Sequence, residues 1–126
     1  MKLTPQSTDA EDGGTVLSRL AIDKQFRGDL EGVSKGEMLS AGTQLKGSAG
    51  YVAQERVTGT LGDRRGSFVL QHTGVMNRGA PGLTITVVPD SGTGDLVGLS
   101  GTMSIIIDGG KHSYEFDYDV ALRLSE

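Results

Sequence analysis

Apolar and polar residues alternate along the last part of the chain, residues 111–126. The apolar or aromatic side chains fall at every second position: His112, Tyr114, Phe116, Tyr118, Val120, Leu122 and Leu124. A period of two is that of a β-strand with one buried face, whereas an α-helix, turning roughly 100° per residue, would scatter these side chains around its circumference. The alternation therefore predicts a strand at this end of the chain.

Weaker alternation, interrupted by glycine-containing turns, predicts further strands near residues 16–26, 30–39, 50–61, 66–73, 83–89 and 95–107. Such a set must close into a barrel or pack as two sheets, because one open sheet would leave an apolar face in water. Glycines inside the predicted strands, such as Gly32, Gly59 and Gly101, favour the bends of a small barrel. We therefore predict an all-β protein with a single small antiparallel β-barrel of about seven or eight strands.

Two segments are predicted to lie outside this regular pattern. Residues 1–14 are polar and end in a glycine pair, so we interpret them as a mobile tail and residues 15–126 as the barrel domain. The segment Gly74–Gly82 is long for a hairpin turn. We interpret it either as a loop over the barrel mouth or as a slack surface loop.

Composition excludes several functional classes. The chain has no cysteine, which excludes disulfides, thiolate zinc sites and cysteine nucleophiles. Its 16 acidic residues exceed its 12 basic ones without a basic cluster, which argues against nucleic-acid binding. No apolar run reaches the roughly 18 residues that span a bilayer, and the N-terminal residues do not resemble an export signal. We therefore expect a cytoplasmic protein that does not bind membranes.

Metal and cofactor chemistry find no support in the motifs. The two histidines, His72 and His112, lack the spacing of a known metal motif, so neither a metal nor a cofactor is predicted. The segment Gly32–Gly36 matches the G-x-S-x-G pattern, with Ser34 at its centre. In hydrolases that serine begins a helix, and no helix is expected in this glycine-rich stretch, so we interpret the glycines as strand bends.

Glu55 is the most informative polar residue, because it falls on the predicted inner face of a strand between Ala53 and Val57. A carboxylate in an apolar interior needs a partner or a changed pKa, and both are common at functional sites. His72 shares a predicted inner face with Leu70, and Lys24 alternates with Phe26. We predict Glu55 and His72 as catalytic candidates, with a ligand-binding lining of Lys24, Tyr51, His112, Tyr114 and Tyr118.

A structural interpretation of the same residues remains open. The histidines and tyrosines are also compatible with hydrogen-bonded core positions, and Glu55 with a structural ion pair to Lys24.

Several local motifs resemble those of a bacterial family known as domain of unknown function 3224. They are the segments Gly66–Gly74, Val88–Leu96 and His112–Tyr114, together with Gly28–Gly32 and Tyr51. The resemblance covers roughly residues 24–122 and implies a small antiparallel barrel similar in architecture to plant allene oxide cyclase. It implies no activity, and the analogy to that cofactor-free cyclase is one of fold alone.

Two functions follow as alternatives. In the first, the barrel binds a small apolar or amphipathic molecule and acts as a carrier or as a cofactor-free isomerase or cyclase. In the second, the protein is a non-catalytic interaction or scaffold protein with a filled core. In both we expect a homo-oligomer, assembled through exposed apolar side chains such as Val52 and Val69. A cavity of a few hundred Å³ would favour the first alternative.

Overall fold

The structure, a computed structural model, describes residues 2–10, 14–108 and 111–120. These form eight strands, with bounds β1 (Lys2–Ala10), β2 (Val16–Phe26), β3 (Leu30–Gly42), β4 (Ala49–Leu61), β5 (Arg64–Asn77), β6 (Ala80–Val87), β7 (Leu99–Asp108) and β8 (Lys111–Val120). One 3-10 turn, Gly94–Leu96, precedes β7. All pairings are antiparallel and join neighbours in the chain, so the order in the sheet is β1 to β8. The prediction of an all-β, antiparallel protein is confirmed.

Hydrogen bonds do not close this sheet into a barrel. Across the described residues, backbone pairing runs from β1 to β8 without a ladder that joins β8 back to β1. The predicted barrel is thus supported in its strand number and direction, while its closure is not.

The sheet is nevertheless strongly curled. In a flat sheet β2 and β8 would be separated by six strand spacings, roughly 29 Å. Instead, the hydroxyl of Tyr114 on β8 donates to the backbone oxygens of Arg27 (2.9 Å) and Leu30 (3.0 Å), at the turn between β2 and β3. The ring of Tyr114 also meets Phe26 edge-on, with centroids 5.4 Å apart. Side-chain contacts therefore bring the two sides of the sheet together.

The N-terminal segment differs from the prediction. Residues 2–10, assigned to a mobile tail, form strand β1 and pair with Val16–Asp23 of β2, with a register shift between Pro5 and Ser7. Residues 2–6 are exposed, Leu3 among them, so this part of the strand is held by backbone pairing rather than by an apolar face. Because the hydrophobic period is absent, the sequence pattern could not reveal it.

Two turns also correct the predictions. The predicted strand at 95–107 begins only at Leu99, because Gly94–Leu96 turn as a 3-10 helix and bury Leu96. The predicted long loop Gly74–Gly82 is mostly strand, since β5 runs to Asn77 and β6 starts at Ala80. Arg78 and Gly79 make the turn with φ of 49° and 89°, and such positive φ values at both central residues are those of a tight type I′ hairpin.

The β6–β7 connection, residues 88–98, completes one edge of the sheet. It lies along the first half of β5, where β6 does not reach. The Ser91 and Thr93 hydroxyls accept the backbone N–H groups of Val69 and Ser67, each at 3.0 Å, and the Thr93 N–H donates to the Ser67 oxygen. These bonds replace those of a neighbouring strand.

The hydrophobic core lies on the concave face, against this connection. Alternate residues of β4 and β5 point into the core, as the period of two predicts, and Leu96 of the β6–β7 connection is buried in it. Its buried members are Phe26, Leu30, Val57, Leu61, Phe68, Leu70, Ile85, Val87, Leu96, Leu99 and Met103. Phe116 of β8 stacks on Phe68 with centroids 5.8 Å apart. The core thus fills one end of the concave face and leaves the polar inward residues nearer its other end.

Candidate functional site

The centre of the candidate site is the carboxylate of Glu55, in the middle of β4. Ala53 and Val57, two residues away on either side, are buried on the same face, and Glu55 itself is 1% exposed. Its neighbours in register are Gly36 on β3 and Leu70 on β5. A side chain at Gly36 would collide with the backbone of Gln54 and Glu55, so the two strands approach closely here because that residue is glycine. The prediction that Glu55 points inward is confirmed.

Three side chains from three other strands bind this carboxylate, and we call the four residues the Glu55 cluster. The Ser34 hydroxyl of β3 donates to Oε1 at 2.7 Å. At Oε2, the Lys24 ammonium of β2 donates at 3.0 Å and His72 Nε2 of β5 lies at 2.5 Å. Glu55 and Ser34 are 1% exposed, whereas the side chain of Lys24 retains 16% exposure. The cluster therefore reaches from the interior toward solvent through Lys24.

The surroundings of Glu55 keep it ionised. Burial by itself raises the pKa of the carboxyl, because a charge is poorly solvated in the interior. The hydrogen bond from His72, the positive charge of Lys24 and the bonds from Ser34 and Lys24 outweigh burial and lower the pKa to about 2. Glu55 is thus a fixed negative charge that holds its three donors in place.

Ser34 was missed as a member of this site. From the sequence, the segment Gly32–Gly36 that contains Ser34 is interpreted as strand bends. Its position was readable from the period of two, because Ser34 lies between Leu30 and Met38 on the inward face of β3. A small hydroxyl gives little pattern signal, so its role became visible only with the register of β3 and β4.

A large cavity adjoins the Glu55 cluster, and we call it the main cavity. Its volume is about 1020 Å³. Strand β1 pairs with β2 only as far as Asp23, so Lys24–Phe26 pass beyond it and face β8 across this space. Its lining carries these apolar or aromatic side chains: Phe26, Leu30, Leu61, Met103, Ile105, Tyr114, Phe116 and Tyr118. Exposed polar and charged side chains also line it: Gln25, Arg27, Asp29, Ser113, Glu115 and Asp117. Lys24 and His72 of the Glu55 cluster thus supply its less exposed polar groups.

The structure brings four of the predicted residues to the main cavity, namely Lys24, His72, Tyr114 and Tyr118. The Tyr114 hydroxyl is occupied by its two backbone acceptors, so this residue joins the two sides of the sheet. Tyr118 packs against Phe116 with centroids 5.1 Å apart and is 41% exposed at the cavity rim. These two tyrosines therefore form the aromatic wall.

The other two predicted ligand-binding residues are Tyr51 and His112. Tyr51 is not part of the main cavity lining. Its ring centroid lies 6.3 Å from that of His72, and its ring covers Gly74. Burial and the nearby charge of Glu55 raise the pKa of Tyr51, so its phenol is neutral at physiological pH. The backbone of His112 belongs to β8, but its side chain lies outside the described residues.

In the part of the chain that the structure describes, no group of three acidic or histidine side chains is arranged to hold a metal ion. No helix in that part has the length and apolar character needed to cross a bilayer.

Comparison with known proteins identifies relatives of this architecture. A family model described as "Protein of unknown function (DUF3224)" matches residues 1–118. A crystal structure of a DUF3224 protein with unknown function from Shewanella oneidensis MR-1 is 54% identical, with a TM-score of 0.92. The alignment covers 97% of this chain and 92% of that one. No protein of curated function matches the chain.

Proposed function

The chain belongs to the DUF3224 family, and from the geometry of its site we propose that it binds a small amphipathic molecule in the main cavity. One observation carries this proposal: a buried, ionised carboxylate orients a lysine and a histidine at the wall of a cavity whose less exposed lining is otherwise apolar or aromatic. Small-molecule sites combine a few fixed polar groups with a predominantly apolar lining in a volume of about 300–1,000 Å³.

Hydrogen-bond capacity indicates which polar group the ligand carries. Both oxygens of Glu55 already accept bonds, from Ser34 at Oε1 and from Lys24 and His72 at Oε2. The Lys24 ammonium has three N–H donors, and one of them is directed to Glu55. Donors are thus in surplus at this end of the cavity. The ligand therefore presents an acceptor, and an anionic oxygen matches the lysine charge best.

A chemical step on the bound molecule is a second candidate, and the pairing of His72 with Glu55 favours it. When Nε2 donates to the carboxylate, Nδ1 is the basic nitrogen of the ring. In an isomerisation or cyclisation, His72 would take a proton from one position of the ligand and return it to another, so no cofactor is consumed. Glu55, with a pKa of about 2, is too weak a base for this task and serves as a positioning residue.

The alternative of a non-catalytic scaffold is less well supported, since it expected a filled core. Exposed apolar pairs on the convex face, such as Leu39 beside Val52, are the observation that favours self-association. Homo-oligomerisation stays a prediction. Native mass spectrometry of freshly purified protein addresses both points, because one spectrum reports the assembly mass and any co-purified small molecule.

The decisive test compares two lysines with an anionic amphipathic probe, 8-anilinonaphthalene-1-sulfonate. Lys24→Met removes the positive charge that the Glu55 cluster presents to the main cavity, while Lys35→Met removes one from the exposed face of β3. We expect the Kd of the probe to rise roughly tenfold in the first variant and to stay unchanged in the second. Lys24→Arg, which keeps the charge, should restore most of the affinity.

Circular dichroism identifies variants that fail to fold. Equal affinities in folded Lys24→Met and Lys35→Met would overturn the proposal, because the main cavity would then not bind the probe through Lys24.

A further inference from the structure

A second cavity, of about 620 Å³, opens where the β3–β4 loop meets the β5–β6 turn. Apart from Lys46, its large side chains are apolar or aromatic: Met38, Leu45, Tyr51, Val75, Met76, Pro81 and Leu83. None of these residues lines the main cavity or belongs to the Glu55 cluster. Tyr51 lies on the boundary, because its ring packs near His72 on one side and lines the second cavity on the other.

Hydrogen bonds between the two loops hold the mouth of this cavity in shape. The Gly79 N–H donates to the Gly47 oxygen at 2.9 Å, and the Arg78 N–H donates to the Ser48 hydroxyl at 3.1 Å. Within the β3–β4 loop, the Thr43 hydroxyl donates to the Ser48 oxygen at 2.7 Å. A ligand would therefore meet a formed cavity and would not bear the entropic cost of ordering its loops.

The polar groups of the lining bear on the ligand that the second cavity suits. The Thr43 hydroxyl donates to the Ser48 oxygen and the Ser48 hydroxyl accepts the Arg78 N–H, so the loops fix the position of two neutral hydroxyls. The charged residue of the lining, Lys46, is exposed and keeps its ammonium in water. Tyr51 contributes a neutral phenol, since burial and the charge of Glu55 raise its pKa. A buried charge would find no fixed partner here, which disfavours an ionic ligand.

Exposed apolar side chains collect around this mouth. Leu45, Val75, Met76 and Leu83 are between 43% and 57% exposed, and all four line the second cavity. Single exposed apolar residues are ordinary on protein surfaces, but a group that surrounds one concavity marks a binding site. The methionines add flexible, polarisable surface that adapts to ligand shape.

We propose that the second cavity is a separate binding site for a neutral, largely apolar small molecule. Its volume falls within the range of small-molecule sites, about 300–1,000 Å³. A protein partner would instead need a surface of about 800 Å² on each side, which extends well beyond one concave mouth. The two cavities thus differ in the ligand they select, the main one by charge and the second by its lack of charge.

The test uses N-phenyl-1-naphthylamine, which has the ring system of the anionic probe without its sulfonate. The chain contains no tryptophan, so the fluorescence of the probe is read against a low background. Leu83→Glu places a charge at the cavity mouth, and Leu39→Glu places the same charge at a comparably exposed position on β3 outside the cavity. We expect the Kd of the neutral probe to rise at least roughly tenfold in the first variant and to stay unchanged in the second.

Further variants separate this proposal from that for the main cavity. Lys24→Met should weaken the anionic probe and leave the neutral probe unaffected. If the neutral probe instead follows Lys24→Met, or binds Leu83→Glu and Leu39→Glu equally, the second site is wrong while the first can stand. Met76→Glu repeats the test from β5 in case Leu83→Glu does not fold. Sedimentation adds one more outcome: a dimer that Leu83→Glu dissociates, with unchanged probe affinity, would make this face an interface between copies and overturn the proposal.

Discussion

The Glu55 cluster and the β6–β7 connection both rely on serine and threonine hydroxyls, but they use them in opposite ways. In the cluster, Ser34 donates to an ionised carboxylate inside the protein. In the connection, Ser91 and Thr93 accept backbone N–H groups of β5 and take the place of a missing strand. The first arrangement stabilises a charge beside a cavity, and the second completes the sheet. What a polar residue contacts, rather than its polarity, separates a candidate site from a structural element here.

The family resemblance draws on both regions. The motif of residues 88–96 makes its described hydrogen bonds with β5 and within the connection itself. The motif Gly66–Gly74 contains His72 of the Glu55 cluster. The family model matches residues 1–118, so membership in the family spans the connection and the cluster alike.

The largest effect on the free energy of unfolding should come from replacing Glu55 in the cluster or Leu96 in the connection. Glu55→Ala leaves His72 and Lys24 without their partner, and we expect it to lower the free energy of unfolding by about 4 kcal/mol. Leu96→Ala removes the apolar side chain that closes the core and should cost about 3 kcal/mol. Urea unfolding followed by circular dichroism measures both.

Probe binding then separates the two variants. The anionic probe should bind Leu96→Ala normally. It should bind Glu55→Ala weakly, because Lys24 is no longer held in position in that variant. Equal probe affinities would mean that Glu55 does not position the donors at the cavity. Glu55→Gln, which keeps the shape without the charge, controls for loss of packing.

Acid should weaken the Glu55 cluster and spare the Ser91 and Thr93 hydroxyl contacts of the connection. The pKa of Glu55 is about 2 when folded and 4.5 as its ordinary value, so the unfolded chain binds this proton more tightly. The contribution of Glu55 is complete above pH 4.5 and is lost as the pH falls through 2, a change of about 3 kcal/mol. Unfolding free energies measured across this range should fall less steeply in Glu55→Gln. Parallel curves for the two proteins would assign the acid sensitivity to other carboxylates.

A smaller effect on stability is expected when either of two serines is replaced by alanine. Ser34→Ala removes a hydrogen bond to a charged, buried acceptor and should cost about 2 kcal/mol, whereas Ser91→Ala removes one to the Val69 N–H and should cost about 1 kcal/mol. Thermal unfolding of both variants gives the ranking. The reverse order would show that the edge of β5 depends more on its hydroxyl partner than the carboxylate does.

Three of the four residues of the Glu55 cluster could be predicted from the sequence, because alternation along a strand indicates which residues share its inner face. The inward positions of Glu55, His72 and Lys24 followed from alternation with apolar neighbours, because a pleated strand places every second residue on one side. Ser34 obeyed the same rule, but a small hydroxyl is not distinctive enough to stand out.

The other structural features could not be predicted, because they depend on geometry that the residue pattern of a single strand does not show. The place of Tyr114 is set by how far the sheet curls, which is the sum of twist and register over several strands. Strand β1 pairs through its backbone and shows no apolar period, and the turn at Arg78 and Gly79 has no common hairpin dipeptide. Tertiary geometry therefore decided the elements that the pattern missed.

The order of the strands has a consequence for how the chain folds. Because each strand pairs with its neighbours in sequence, most hairpins close through a short loop at a small entropic cost, the β6–β7 connection being the longer one. The bonds from Tyr114 are different, since they join residues 84 and 87 positions apart. Short hairpins favour rapid formation of the sheet, while the junction at Tyr114 must await an almost complete chain. Assembly of the main cavity is therefore a late event, because one of its walls does not exist until β8 has reached the turn between β2 and β3.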